Sequence, residues 1–421
     1  MLDNIKAIPQ EHLWAKARML SEGVRGELPL NTGQADVAVD LNDIEQILGA
    51  YADSLGVREQ TPIKELGNVI ALDGSNVQVP IIINPYSRLE LVREGDRAVV
   101  RDGDQVVLEG TVPTPPAWWR EGQLSNGLPV RTVLPVMSEG IINLAFNLSC
   151  MNMNSRQGCQ YCNLFANPVA RKLTMLPKET LAGYARYQAE AVKIALSHGW
   201  GGQITVSGGA LPPALRGESI ERLQIVLDAL GEAVGSEAFA KLQKVYNHYP
   251  PEHPRDMMRW KALGITATSI DLEVMDDAYF AAICPGKHAY KPLADWKRAQ
   301  QASVEIFGPY TGSMGIIVVG MEPQHTLLKG VKERLEKGVL PLPFVFYSAP
   351  GSAYWGFRPP TADWLMETTE KIADVFINYL PQIIQSFQVS GDQPPAAPSL
   401  ANCLVFDELQ RRTAALFGGQ Q

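Results

Sequence analysis

The sequence predicts an α/β protein: a partial or full (β/α) barrel of parallel strands, preceded by a helix and a small β-unit and followed by a C-terminal helical extension. Three observations predict it. From residue 140 onward, strand-like runs alternate with helix-period segments. Residues 70–112 instead hold short β-rich runs separated by turn signals. The composition, 46% hydrophobic and 19% charged, is that of a globular protein with no fibrous or disordered bias. At 421 residues the chain accommodates two units plus appendages.

Composition also excludes function classes. Lys and Arg number 37 against 45 Asp and Glu, for a net charge of −8, and no basic run stands out as a phosphate-reading patch, so nucleic acid is not an expected partner. The longest apolar runs, such as 315–320, fall far short of the roughly 18 residues a membrane helix needs, and the N-terminus has no uninterrupted apolar segment. A cytoplasmic protein that does not enter membranes is expected. Five cysteines are too few, and odd in number, for a disulfide framework, and three crowd together at Cys150, Cys159 and Cys162.

Taken in order, residues 1–33 read as an arm or a helix with a loop, broken by Gly23, Gly26, Pro29 and Gly33. Apolar residues at helical spacing (Val39, Leu41, Ile44, Ile47, Leu48, Tyr51, Leu55) predict an amphipathic helix over 36–55. Strand-like runs at 70–72, 77–83, 98–100 and 106–108 make up the small β-unit. Pro113, Pro115, Pro116, Trp118 and Trp119 form a linker over the next unit, so 1–139 is read as an accessory region. In 140–352, strands are expected at 141–147, 203–207, 242–247, 267–274, 313–319 and 343–347, with helices at 179–197, 220–234, 254–263, 292–307 and 326–337. Such repeats imply a parallel sheet with right-handed crossovers and chemistry at the C-terminal strand ends. Residues 353–421 give one further helix, 363–379, a turn at Pro394, Pro395 and Pro398, and a polar tail.

The cysteines read C-x8-C-x2-C directly after the first strand of the repeat series. Three thiolates on one loop suit an iron–sulfur cubane, whereas a structural zinc site wants four ligands, and no fourth lies nearby in sequence. His198 ends a helix, and Cys284 and Cys403 read as buried or surface thiols rather than ligands.

With this loop in this place, residues 140–350 resemble the radical S-adenosylmethionine superfamily, in which a three-cysteine loop after the first barrel strand holds a [4Fe–4S] cluster. The family spacing is C-x3-C-x-aromatic-C. Here the second half matches, with Tyr161 as the aromatic, and the first gap is five residues longer. The resemblance extends to Ser207-Gly208-Gly209-Ala210, where the family has a Gly-Gly-Glu-like turn that binds the amino group of S-adenosylmethionine, with Ala210 in place of the acid. It implies a cofactor contact from Glu273, at the end of the fourth strand beside Asp271. It also implies an adenine-contacting strand in Gly315, Ile317 and Glu322, with the middle glycine displaced to Gly320. Glu322 also reads as a cap of the following helix near Thr326. The run Ile283-Cys284-Pro285-Gly286-Lys287-His288 is a loop in which Lys287 could meet a carboxylate.

Leu272-Glu273-Val274, this loop and Val319-Gly320-Met321-Glu322-Pro323 look most like the biotin-synthase-like and hydrogenase-maturase-like branch. The resemblance implies that Cys150, Cys159 and Cys162 ligate three irons and that S-adenosylmethionine chelates the fourth. A 5′-deoxyadenosyl radical would then take hydrogen from a small-molecule or cofactor-precursor substrate, with a flavodoxin- or ferredoxin-type protein as low-potential electron donor. Substrate groups are expected at the strand ends: Asn247, His248, Tyr249, Tyr347, Ser348, Tyr354, Trp355 and Arg358, of which Asn247, His248, Tyr347 and Arg358 are the catalytic candidates. Three other readings stay open: radical methyl transfer, a non-catalytic iron–sulfur or zinc scaffold, and a hydrolase pairing Glu273 with His248.

Overall fold

In the computed structural model the described residues are 7–26, 39–54, 69–75, 77–134, 140–164, 169–170, 175–390 and 400–417. The expected turn at Pro394, Pro395 and Pro398 and the outer residues of the expected 36–55 helix lie outside them.

Six parallel strands carry the second half of the chain: β6 (Ile141–Asn147), β7 (Gln203–Gly208), β8 (Lys244–Asn247), β9 (Ala267–Ser269), β10 (Ser313–Val319) and β11 (Leu340–Val345). They lie side by side in chain order. That order follows from the crossovers, because each strand is followed by helix that carries the chain back over the same face. The helices include Lys178–Ser197, Ser219–Val234, Arg255–Ala262, Leu293–Phe307 and Gln324–Glu336, within two residues of the sequence expectation.

Period-2 alternation sorts the strand residues. Ile142, Leu144, Phe146, Ile204, Val206 and Tyr246 are buried on the helix-covered face. Asn143, Thr205, Ser207, Asn247 and Ser269 share the opposite face and give it polar groups. There Ser207 Oγ donates to Asn143 Oδ1 at 2.8 Å, and Asn247 Nδ2 donates to Asp271 Oδ2 at 2.7 Å.

The register leaves β6 and β11 as edges unpaired with one another, so the strands do not close into a full barrel. In a flat sheet, five spacings of about 4.8 Å would separate those edges by about 24 Å. Yet the loops following them meet, the Tyr354 N–H donating to the Gln160 carbonyl at 3.0 Å.

The fourth strand is shorter than expected. It stops at Ser269 rather than continuing through residue 274, and Glu273 takes φ +67°. Glu273 still makes a single bridge to Ile317, its N–H donating to Ile316 O at 3.0 Å. The Asp271 carboxylate explains the break, since it accepts from the Ile316 N–H at 2.9 Å and takes a place that a backbone carbonyl would hold in a ladder.

The small β-unit is an antiparallel sheet of β1 (Val69–Leu72), β2 (Gln78–Pro80), β3 (Leu89–Glu94), β4 (Arg97–Asp102) and β5 (Gln105–Thr111), in the order β2-β1-β5-β4-β3. β3 was not among the expected strands. It reads LELVRE, with Glu90 and Glu94 on the solvent side, and pairing with β4, together with a bridge from Arg25, makes it a strand. The expected amphipathic helix is Ile44–Ser54, and residues 1–33 include the helix Gln10–Glu22.

The C-terminal reading needs correction. After Ala362–Ile377 come Leu380–Ser390 and Val405–Phe417, so the expected polar tail contains a helix. Cys403, Leu404, Asp407 and Glu408 are buried there, and Asp407 pairs with Lys16 of the N-terminal helix at 2.6 Å. Among the described residues no helix is long and apolar enough to cross a membrane.

Candidate active site

The cysteine loop is built onto the ends of β6 and β7. Asn147, last residue of β6, donates its amide to Ser149 O (2.8 Å) and Gly209 O (3.2 Å), and the Met151 N–H donates to Ala210 O at 2.9 Å. These bonds press the start of the loop against the Gly208–Gly209 turn. A Cβ on Gly209 would lie 2.2 Å from Ser149 O and 2.5 Å from Cys150 Cβ, so only glycine fits. Cys150 then leads into the short helix Met151–Asn154, and Cys159 and Cys162 share a turn closed by Cys162 N–H to Cys159 O at 3.0 Å.

The far side of the loop rests on residues 283–286. Gln160 N–H donates to Ile283 O, and Gly286 N–H donates to Gln157 O, each at 2.9 Å. The helix Pro285–Tyr290 can approach because Gly286 lacks a Cβ, which would sit 2.3 Å from Asn152 Cγ. This contact brings Cys284 to the site. It is fully buried and hydrogen-bonds to Cys159, which favours the thiolate at Cys159, while burial and that neighbour push the Cys284 thiol well up. Sequence distance alone had set Cys284 apart; its signal was the Cys-Pro-Gly-Lys run that the helix start now explains.

Burial pushes the Cys162 thiol up to about 11, with Cys159 and Cys150 acting in the same direction. All three residues are only partly buried. Among the described residues, no three His, Cys, Asp or Glu side chains converge as the ligands of a single metal ion would.

Lys287 reaches from the same short helix to Glu273, Nζ to Oε1 at 2.5 Å, and also donates to Asp271 O at 3.0 Å. Both side chains are at least nine-tenths buried. Burial raises the Glu273 pKa and Lys287 opposes the rise. Burial alone would lower Lys287, and Glu273, Cys159 and Asp271 together outweigh it. The carboxylate expected near Lys287 is thus Glu273 itself. Tyr161, between the last two cysteines, hydrogen-bonds to Glu273, and burial raises its pKa well above the usual value.

The remaining expected residues divide. Ser207 and Asn247 lie on the polar face of the sheet, and Tyr347 lies near Cys162. Gly315 and Ile317 have the parity of the helix-covered face. The space beside Gly315 belongs to Ile270 O and Gln300 Nε2, at 2.4 and 2.6 Å from a would-be Cβ, so the glycine admits a helix side chain. Glu322 is buried and its Oε1 accepts from the Met275 N–H at 2.7 Å, bracing the turn after β9 while also hydrogen-bonding to Thr326. His248 is packed against Phe146, Tyr246 and Tyr249, and burial lowers its pKa to about 3. It is neutral at pH 7 and Glu273 is committed to Lys287, so the acid/base pair of a hydrolase is not assembled. Arg358 is exposed on the loop after β11.

No family model matches the chain. Bacteriochlorophyllide c C-7(1)-hydroxylase of Chlorobaculum limnaeum is 40% identical over 313 residues, which cover 74% of this chain and 78% of the relative. The chain belongs to the family of that hydroxylase. It is therefore a member of an enzyme family, with a cysteine-rich site at the C-terminal ends of a parallel sheet.

Proposed function

We propose that the protein is a cytoplasmic radical S-adenosylmethionine enzyme, built on a partial (β/α) barrel, that takes hydrogen from a peripheral carbon of a bacteriochlorophyllide-type tetrapyrrole so that this carbon is oxidised. The observation that carries the reading is the packing of the three-cysteine loop onto the Gly208–Gly209 turn at the ends of two adjacent strands. The donor set fits a cluster: three partly buried thiols on one loop would hold three irons of a [4Fe–4S] cluster, and the Gly208–Gly209 turn, whose Cβ positions are filled by Phe146, Asn147, Ser149 and Cys150, would offer backbone groups to the amino acid end of S-adenosylmethionine. Bound there, cluster and S-adenosylmethionine would supply a 5′-deoxyadenosyl radical on receiving one electron from a flavodoxin- or ferredoxin-type donor.

The chain's own groups hold and shield. The Lys287–Glu273 pair fixes the helix that backs the cysteine loop, with Tyr161 hydrogen-bonded to Glu273. Ser207, Asn143, Asn247 and Asp271 present polar atoms on the face below the loop, where ribose hydroxyls would find partners. Tyr347 and Tyr354 close the loop from the β11 side and limit water entry.

The test is reconstitution without oxygen, followed by iron and sulfide analysis and electron paramagnetic resonance of the reduced protein. About four irons, a signal that changes on adding S-adenosylmethionine, and 5′-deoxyadenosine formed with reductant are expected. Zinc in place of iron, or a cluster indifferent to S-adenosylmethionine, overturns the reading.

A further inference from the structure

The loop after β11 places two exposed aromatic side chains two residues apart. Trp355 is 49% and Phe357 58% exposed, although large apolar side chains are generally covered. The loop that displays them is firmly held. Ser348 Oγ donates to Tyr354 O at 3.0 Å and accepts from the Gly356 N–H at 2.7 Å. Gly356 sits at φ +88°, a conformation that favours glycine and makes the tight reversal between the two aromatics. Phe357 stacks on Tyr354 with centroids 4.5 Å apart, and Tyr354 stands edge-on to buried Phe346 at 6.1 Å. Through its N–H to Gln160 O, Tyr354 joins this aromatic stack to the cysteine loop. Next to Phe357, exposed Arg358 makes no hydrogen bond or ion pair among the described residues.

We propose that residues 354–358 form a shelf for the substrate's flat ring, with Trp355 and Phe357 against its face and Arg358 on its carboxylate. The choice of occupant rests on the preceding reading only for the substrate class. A tetrapyrrole of the chlorophyllide type offers a wide apolar face and, unlike an esterified chlorophyll, a free propionate. The shelf matches both in kind: stacked aromatics held rigid from below, and an unpaired guanidinium at one end. Its continuity with Gln160, one residue from Cys159 and two from Cys162, would set the ring's edge beside the proposed radical site.

Binding of chlorophyllide a to the full-length reconstituted protein tests this, read by the pigment's visible absorption shift and by quenching of tryptophan fluorescence. Trp355→Ala and Phe357→Ala are expected to weaken binding tenfold or more, and Tyr86→Ala, at a still more exposed aromatic on the small β-unit, to leave it unchanged. Chlorophyllide a methyl ester should bind several-fold more weakly than the acid to the native protein and equally well to Arg358→Ala. Both shelf variants should keep the iron content and the substrate-independent formation of 5′-deoxyadenosine. If they bind pigment like the native protein, or if Tyr86→Ala weakens binding as much as they do, the shelf is refuted. Loss of the cluster signature with pigment binding intact would refute the radical reading and leave the shelf standing.

Discussion

At the scale of single residues, the site depends on groups whose neighbours decide their chemistry. Gly209 is an example: the Cβ of any other residue would overlap Ser149 and Cys150, so the cysteine loop and the adjacent strand end constrain each other. His248 is another. As a histidine closing a strand it resembles a general base, but among Phe146, Tyr246 and Tyr249 it stays neutral down to about pH 3. In the unfolded chain the ring takes its proton near pH 6.5. Below that pH the unfolded state binds the extra proton, so the stability tied to a neutral His248 is complete above pH 6.5 and is lost as pH falls toward 3. His248→Phe keeps the aromatic packing and removes the titration. Its urea midpoint should fall less between pH 7 and pH 4.5 than that of the native protein, carboxylate titrations being common to both. Equal falls would show that the ring is not kept neutral.

At the scale of elements, the short helix Pro285–Tyr290 is the piece on which the site leans. It meets the cysteine loop through Gly286 and the turn after β9 through Lys287. Lys287→Met would leave the Glu273 carboxylate buried without its cation, and breaking such a buried pair costs about 3–5 kcal/mol. Pairing that change with Glu273→Gln should recover part of the loss, a comparison that chemical denaturation of the two variants can make. No recovery in the double variant would mean that Lys287 acts through packing rather than charge. These contacts were only half legible in sequence. The Cys-Pro-Gly-Lys run marked a loop of interest and Glu273 marked a strand end. Periodicity could not show that the strand stops at Ser269, because the break comes from Asp271 accepting the Ile316 amide across the sheet.

At the scale of the whole molecule, the two ends of the chain are fastened to one another. Lys16 and Asp407 form an ion pair with almost no exposure, and Lys16 also donates to Leu400 O at 2.8 Å. Lys16→Met should lower stability by about 3–5 kcal/mol, since it takes the cation away from a buried carboxylate. Lys16→Met with Asp407→Leu, which removes both charges, should be closer to native stability in a thermal melt. If the double change is the more damaging, the pair contributes more than mutual neutralisation.

By itself the sequence determined the α/β class, the succession of parallel strands, the three-cysteine loop after the first of them and the glycine turn after the second. All of these are local signals: periodicity, spacing and turn chemistry act over a few residues, and the chain displays them directly. Only the tertiary structure decided that the sheet's edges stay unpaired, that Cys284 lies beside Cys159, that Lys287 neutralises Glu273, that Gly315 makes room for Gln300, and that the apparent polar tail is a buried helix. Each of those outcomes joins residues far apart in the chain. Burial, and the partner a buried polar group finds, are set by what arrives from elsewhere, and no local pattern encodes that arrival.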